Sequence, residues 1–315
     1  MKPTRIALIG CGIWGRKILR DLRTLGARVR VYDPDPAVAS ALAGAGGVDL
    51  LPGLPTTGAD LDGLIVATPS TTHRAVLERL LPLGRPIFVE KPLTTNRADA
   101  GALREAAAGA GSGPVFLMHI WRYHPGIQLL AQLTRSGELG RPLGLRSTRA
   151  NWTSPRRDTD AWWNLAPHDL TIARTVLGHW PEPVAATGEY HDGVCRGMVA
   201  HFGAAPWVIV EVSNRYARKV REVRLHCTEG IAVLADERVD YVSIFRGGAH
   251  SPAPPPEERR PFAGPPPLLA ELTEFLNYLA GGPAPRSPLG EGLAVVDLLE
   301  RTAALARAAA QTTES

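Results

Sequence analysis

The chain has 315 residues, 44% of them hydrophobic, with 35 Lys and Arg against 31 Asp and Glu for a formal charge of +4. This is ordinary globular usage, and 32 Gly with 28 Pro stays below low-complexity composition, so disorder, collagen and coiled coil are excluded for the chain as a whole. The charge is mild and forms no like-charge blocks, which gives no footing for a nucleic-acid partner, and no apolar run nears the ~18 residues of a membrane span. No signal-peptide core follows Met1, and Cys11, Cys195 and Cys227 form neither a CxxC nor an even framework. A cytoplasmic protein without disulfides or a metal site is expected.

Over residues 1–118 short apolar runs at 6–9, 29–32, 64–67, 87–89 and 115–118 alternate with helical patterns at 13–25, 37–43, 72–81 and 98–108. Runs that are aliphatic on both faces suit buried parallel strands, so this half is expected to be an α/β Rossmann domain with a doubly wound parallel sheet. After Met118 the texture changes. A helix is expected over 127–134, a strand over 143–151 and a helix over 165–177. A run of strands then follows from 184 to 245, with turn signals at Asp192-Gly193, Gly203 and Glu229-Gly230. Residues 251–267 hold eight prolines and read as a stiff extended connector, ahead of helices at 268–279 and 289–310. Residues 119–315 are therefore expected to form one α+β domain with a large open-faced, mostly antiparallel sheet.

Gly10-Cys11-Gly12-Ile13-Trp14-Gly15 is a GxGxxG between a strand and a helix, and Asp33 closes the next strand. Gly10 suits the tight turn, Gly12 the approach of a pyrophosphate and Gly15 close helix–strand packing, with the helix N-terminus facing the phosphates. Asp33 would accept hydrogen bonds from ribose hydroxyls and repel a 2′-phosphate, so NAD is expected over NADP. FAD uses a similar turn, but no second flavin signature accompanies it.

The strand at 87–89 ends in Glu90-Lys91-Pro92, where an open α/β sheet binds ligands. Only four basic residues are Lys, so Lys91 stands out; it is either a solvated strand-end lysine or the group that meets substrate. Thr68 and Pro69, after the preceding strand, fall at the same edge, and His73 either joins them or sits on a helix surface.

Together GCGIWG, Asp33, ATPSTTH (67–73) and EKPL (90–93) resemble the glucose–fructose oxidoreductase/inositol dehydrogenase (Gfo/Idh/MocA) family. Trp121–Pro125, GELG (137–140), NLAPHDL (164–170) and the acidic helix at 271–279 extend the likeness over nearly the whole chain. The resemblance implies an NAD(P)-dependent oxidoreductase acting on a sugar, nucleotide-sugar or cyclitol hydroxyl, and a homodimer or homotetramer built through the open sheet. It places Lys91, His168 and Asn164 at catalytic positions. Cofactor-contacting positions fall to Gly10, Gly12, Ile13, Trp14, Gly15, Asp33, Thr68, Pro69, His73, Glu90 and Lys91. Arg122, Tyr123, Trp163, Asn164 and His168 would face substrate. Two departures stand out: Asn164 replaces an Asp often found four residues before the His, and Thr171 replaces the Asp of an HxxD.

Asn164 and His168 are four apart and share a helix face, with Pro167 accommodated if the helix is only beginning there. Asn binds a hydroxyl but does not titrate, whereas His, with a reference pKa of about 6.5, does both. His168, helped by Lys91, would take the hydroxyl proton as hydride leaves; the alternative is a hydrogen-bonded core histidine. Asp169 either orients the imidazole or faces solvent. Arg156 and Arg157, joined by Arg149 and Arg122, would hold a phosphate, diphosphate or carboxylate unless they form a solvated basic loop. Trp152, Trp162 and Trp163 either stack on substrate or pack in the core. Two other readings stand: a ketone or imine reductase acting on a non-sugar intermediate, and a dinucleotide-binding regulator without turnover.

Overall fold

The computed structural model describes residues 3–44, 48–152, 158–247 and 255–313. The chain forms two compact units, Met1–His119 with Pro266–Val296, and Ile120–Pro265 with Asp297–Ser315.

The first unit opens with β1 (Arg5–Ile9), α1 (Ile13–Thr24), β2 (Arg28–Tyr32), α2 (Pro36–Gly44), β3 (Asp49–Leu50) and β4 (Gly63–Val66). It continues through a short 3₁₀ turn, Ser70–Thr72, into α3 (His73–Leu80), β5 (Ile87–Glu90), α4 (Arg97–Ala107) and β6 (Val115–Met118). All six strands are parallel, in the order β3-β2-β1-β4-β5-β6. The order reverses between β1 and β4, which opens a crevice at their carboxyl ends. Ile6 to Ile9, Leu64 to Val66 and Ile87 to Val89 are buried on both faces, as the continuous apolar runs require. β3, two exposed residues at the sheet edge, carried no apolar signal in the sequence.

In the second unit a 3₁₀ turn, Ile120–Tyr123, leads to α5 (Pro125–Ser136), β7 (Pro142–Trp152) and α6 (Ala161–Leu177). β8 (Pro183–His191), β9 (Val194–Phe202), β10 (Trp207–Ser213), β11 (Arg215–Cys227), β12 (Gly230–Leu234), β13 (Tyr241–Arg246) and β14 (Glu257–Pro261) follow. The eight-stranded sheet runs β14-β13-β12-β11-β7-β10-β9-β8 and is antiparallel except for β7 beside β10. The β8–β9 hairpin turns on Asp192 (φ +51°) and Gly193 (φ +73°), the left-handed pair that a two-residue loop demands. Val208, Val210 and Val212 of β10 are buried on the side facing α6; Ile209 and Glu211, between them, are half-buried on the other.

Three expectations change. First, 251–267 is not connector throughout: 257–261 is the edge strand β14, and its Glu-Glu-Arg-Arg composition is a charged rim suited to an edge. Second, α6 begins at Ala161, capped by Asp160, whose carboxylate accepts the Trp163 N–H at 2.9 Å. Pro167 therefore lies inside the helix, where it cannot donate to the Trp163 carbonyl. Third, the first unit is not confined to 1–118. The chain returns to it through α7 (Pro267–Leu279) and the start of α8 (Leu289–Thr313). The cause is apolar: Phe275 packs its ring 4.9 Å from Phe88, Tyr278 meets Phe116 edge-on at 5.1 Å, and Leu279 occupies the space over Gly63.

Candidate active site

β1, β4 and β5 are neighbours, so the segments leaving their carboxyl ends adjoin: Gly10–Gly15, Thr68-Pro69 and Glu90-Lys91. Gly10 has φ +88°, and a Cβ there would lie 2.7 Å from the Ala67 carbonyl oxygen. A Cβ on Gly15 would lie 2.3 Å from the Gly10 carbonyl oxygen, so both glycines serve the chain's own packing. Gly12 differs. A Cβ on it meets no atom of the described residues within 4 Å, and it precedes α1 with no side chain capping the helix. Open space, uncapped N–H groups and Ile13 at 88% exposure form a cradle that fits a pyrophosphate.

Asp33 seals the loop from the side. Its Oδ2 accepts the Cys11 N–H at 2.6 Å and its Oδ1 the Asp35 N–H at 2.9 Å. Each oxygen keeps a second lone pair for a ribose hydroxyl. Glu90 joins two of the segments: one oxygen accepts the Trp14 indole N–H and the other the Lys91 main-chain N–H at 3.1 Å. Lys91 is half-buried and precedes a cis peptide bond to Pro92.

His73 is neither a surface residue nor open to a cofactor. It is fully buried, with Nδ1 2.9 Å from the Pro92 carbonyl and Nε2 3.0 Å from the Thr68 carbonyl. It clamps the β4 loop to the segment after Lys91 and so positions both.

In the second unit Trp163, Asn164 and His168 of α6 are half-buried, while Leu165, Ala166, Asp169, Leu170 and Ala173 are buried. Thr171, at the HxxD carboxylate position, is buried and donates back to the helix carbonyls of Pro167 and His168. Asp169 faces neither solvent nor the imidazole. It is wholly buried and accepts from Arg149 Nε at 2.8 Å, from Arg149 Nη2 at 3.2 Å and from the Ser147 hydroxyl. Arg149 is thereby removed from the expected anion-binding set: it is 3% exposed, ion-paired, and 4.3 Å from the Trp121 ring. Arg122 is half-buried and Tyr123 buried in the 3₁₀ turn that packs on α6. Trp162 belongs to the core, its indole N–H bonded to the Leu299 carbonyl at 3.0 Å, whereas Trp152 is 71% exposed. Arg156 and Arg157 lie outside the described residues. The first unit thus gathers every cofactor candidate; the second carries Asn164 and His168 on one helix, with Lys91 in the other unit.

Sequence reasoning missed the role of Glu271. On α7 it stands among the apolar positions Leu268, Leu272 and Phe275, and a lone acid in an apolar stripe was the available signal. Among the described residues no group of three or more His, Cys, Asp or Glu could hold a metal ion, and no helix is long and apolar enough to cross a membrane.

Comparison with known proteins bears on this geometry. Residues 4–116 match the profile of the GFO_IDH_MocA oxidoreductase family, NAD-binding Rossmann fold. The inositol 2-dehydrogenase of Streptomyces avermitilis is 32% identical over 264 residues, covering 78% of this chain and 73% of the relative. The chain belongs to the Gfo/Idh/MocA oxidoreductase family. A UDP-N-acetylglucosamine 3-dehydrogenase from Acidithiobacillus ferrooxidans is 27% identical over 290 residues, 88% of each chain. The solved structure of the UDP-N-acetylglucosamine 3-dehydrogenase GnnA from Acidithiobacillus ferrooxidans superposes with a TM-score of 0.83 at 25% identity, over 98% of this chain and 99% of that one. Like other Gfo/Idh/MocA members, the chain is an NAD(P)-dependent oxidoreductase.

Proposed function

We propose that this Gfo/Idh/MocA enzyme is an NAD-dependent dehydrogenase of a sugar, nucleotide-sugar or cyclitol hydroxyl, with Lys91 and His168 as its proton-handling residues. The observation that carries the reading is the carboxyl edge of β1, β4 and β5, where an open glycine cradle leaves β1 and a lysine leaves β5, on either side of β4. Bound NAD(H) would accept or supply the hydride. Asp33 would hold the ribose hydroxyls and oppose a 2′-phosphate, favouring NAD over NADP. His168 would remove the hydroxyl proton in oxidation and return it in reduction, Lys91 would polarise the same oxygen, and Asn164 would orient a neighbouring hydroxyl without titrating. Arg122, Tyr123 and Trp163 would border the substrate.

The half-buried mixture of Ile209, Glu211, Glu222 and Arg224 on the uncovered face of the eight-stranded sheet supports assembly of copies through that face. Three free, buried cysteines agree with a reducing, cytoplasmic compartment.

The test is turnover of Lys91→Met and His168→Ala on a panel of cyclitols, nucleotide sugars and amine-bearing ketones, with NAD(H) affinity measured alongside. Each variant should lose at least ~100-fold in kcat while still binding NADH, as expected for removal of a general acid–base. Near-normal rates in both would end the proposal. Turnover confined to the ketones would move the substrate class.

A further inference from the structure

Glu271 has no exposed surface, and neither carboxyl oxygen has a hydrogen-bond partner. Its position follows from the packing of α7. Phe275 lies against Phe88 at 4.9 Å, and Leu279, at the end of the helix, covers Gly63 at the start of β4. The helix therefore runs antiparallel to the strands. Glu271 is one turn before Phe275, about 6 Å along the axis, and Glu90 is two residues beyond Phe88, about 6.6 Å along β5 on the same face. The two steps lead in the same direction and set Glu271 over Glu90 at the carboxyl edge.

The surroundings offer little to a negative charge. Glu90 faces it from β5, and Glu274 follows it on α7. The His119 main-chain N–H, at the end of β6, is directed toward it but bonds the Leu117 carbonyl at 3.1 Å. The His119 ring turns to Glu291 at 3.0 Å. From α1, Lys17 stands over the Trp14 ring at 4.8 Å, and Lys91 follows Glu90 directly. Burial first, then the Glu90 charge, raises the Glu271 carboxyl well above the usual carboxylate range. A buried carboxyl group beside a carboxylate has one inexpensive state, protonated and donating to it.

We propose that Glu271 is a positioning residue of the cofactor site: a neutral acid whose O–H donates to the Glu90 carboxylate and so fixes the group that holds both Trp14 and the Lys91 main chain. Glu90 would then receive a donor from α7 beside those from α1 and from its own strand, which locks the glycine loop to the lysine-bearing strand end. The cofactor half of this inference rests on the function proposed above; the protonation half does not.

Two measurements test the halves separately. In urea unfolding of the full-length protein without ligand, the wild type releases the Glu271 proton and Glu271→Gln does not. Above the unfolded value near 4.5 and below the raised native one, the wild-type unfolding constant should therefore rise with pH, by up to about tenfold per unit, relative to the Gln variant. Coincident pH curves would overturn the neutral acid. In NADH titrations Glu271→Gln, whose amide also donates, should bind within about twofold of wild type, and Glu271→Met, which donates nothing, should bind at least about tenfold more weakly. A Met variant that folds and binds as wild type, or a Gln variant weakened as much as Met, would overturn the positioning role. Should the Met variant fail to fold, the pH curves and Gln affinity still decide. Wild-type protein that binds no NADH would instead refute the proposed function and leave the unfolding result standing.

Discussion

Replacing Asp169 by Asn removes the counter-charge of Arg149, and the structure sets the scale of the loss. Arg149 and Asp169 are 3% and 0% exposed, joined by contacts of 2.8 and 3.2 Å. Breaking a buried pair from one side costs about 3–5 kcal/mol, because the remaining ion stays desolvated without a partner. Arg149 keeps its contact with Trp121, about 0.5–2 kcal/mol, so the lower end of that range is expected. Arg149→Met should cost less than Asp169→Asn, since an abandoned aspartate can take up a proton and a guanidinium cannot give one up. The double replacement Arg149→Met/Asp169→Leu buries no ion and should recover most of the loss, giving a coupling of at least about 2 kcal/mol in a double-mutant cycle. Urea unfolding followed by circular dichroism measures each corner. At about 2–4 °C per kcal/mol, Asp169→Asn should also lower Tm by roughly 6–15 °C. The pair joins β7 to the helix that carries His168, so the folded Asn variant should lose turnover while its NADH affinity, a property of the other unit, holds. A loss of stability below about 1 kcal/mol would refute the reasoning.

Gly12→Ala should leave Tm within a degree or two and weaken NADH binding at least about tenfold, because its Cβ meets only the space assigned to pyrophosphate. Gly15→Ala should instead destabilise by about 1–3 kcal/mol or more, since its Cβ would meet the main chain 2.3 Å away. Glu138 is held down at about 2 by hydrogen bonds from Arg260 and then Arg246. Its contribution is complete above its unfolded value near 4.5 and is lost as pH falls toward about 2. The site is a third exposed, so Glu138→Gln should cost about 1 kcal/mol or less at neutral pH, less still in high salt, and flatten the acid limb of a Tm-against-pH curve.

The first sheet was legible because its strands are buried on both faces, which leaves unbroken aliphatic runs such as Ile6 to Ile9 that no surface element imitates. The cradle was legible because its three glycines stand at fixed spacing within six residues of chain, between a strand and a helix. What stayed hidden was decided at long range. The Pro-rich segment 251–267 carries local signals for a connector, yet 257–261 pairs with β13 because that strand offers an open edge. α7 returns to the first unit because Phe275 finds Phe88, far away in sequence. Asp169 read equally well as a partner of His168 or as a surface acid, and only the fold brings Arg149 and Ser147 to it. His73 shows the converse: its residue type and loop pointed to the cofactor edge, and the structure spends the ring on carbonyls that hold that edge together.

Asn164, Thr171 and Asp169 together narrow how a proton can leave the second unit. Asn164 does not titrate, and Thr171 has bonded its hydroxyl back to the helix. Asp169, the single carboxylate in the sequence of α6, is committed to Arg149 behind the helix. A His–carboxylate relay along α6 therefore has no second member, and under the function proposed above His168 would take the hydroxyl proton without a carboxylate from its own helix. Oxidation should then fall at low pH along one limb of unit slope, set by one base, whereas a relay would give two. Asn164→Asp restores the missing carboxylate one turn away on the same face. Its negative charge should raise the His168 pKa and move the acid limb to higher pH. A limb unmoved in Asn164→Asp, in a variant that still turns over, would mean that His168 is not the base that sets the rate.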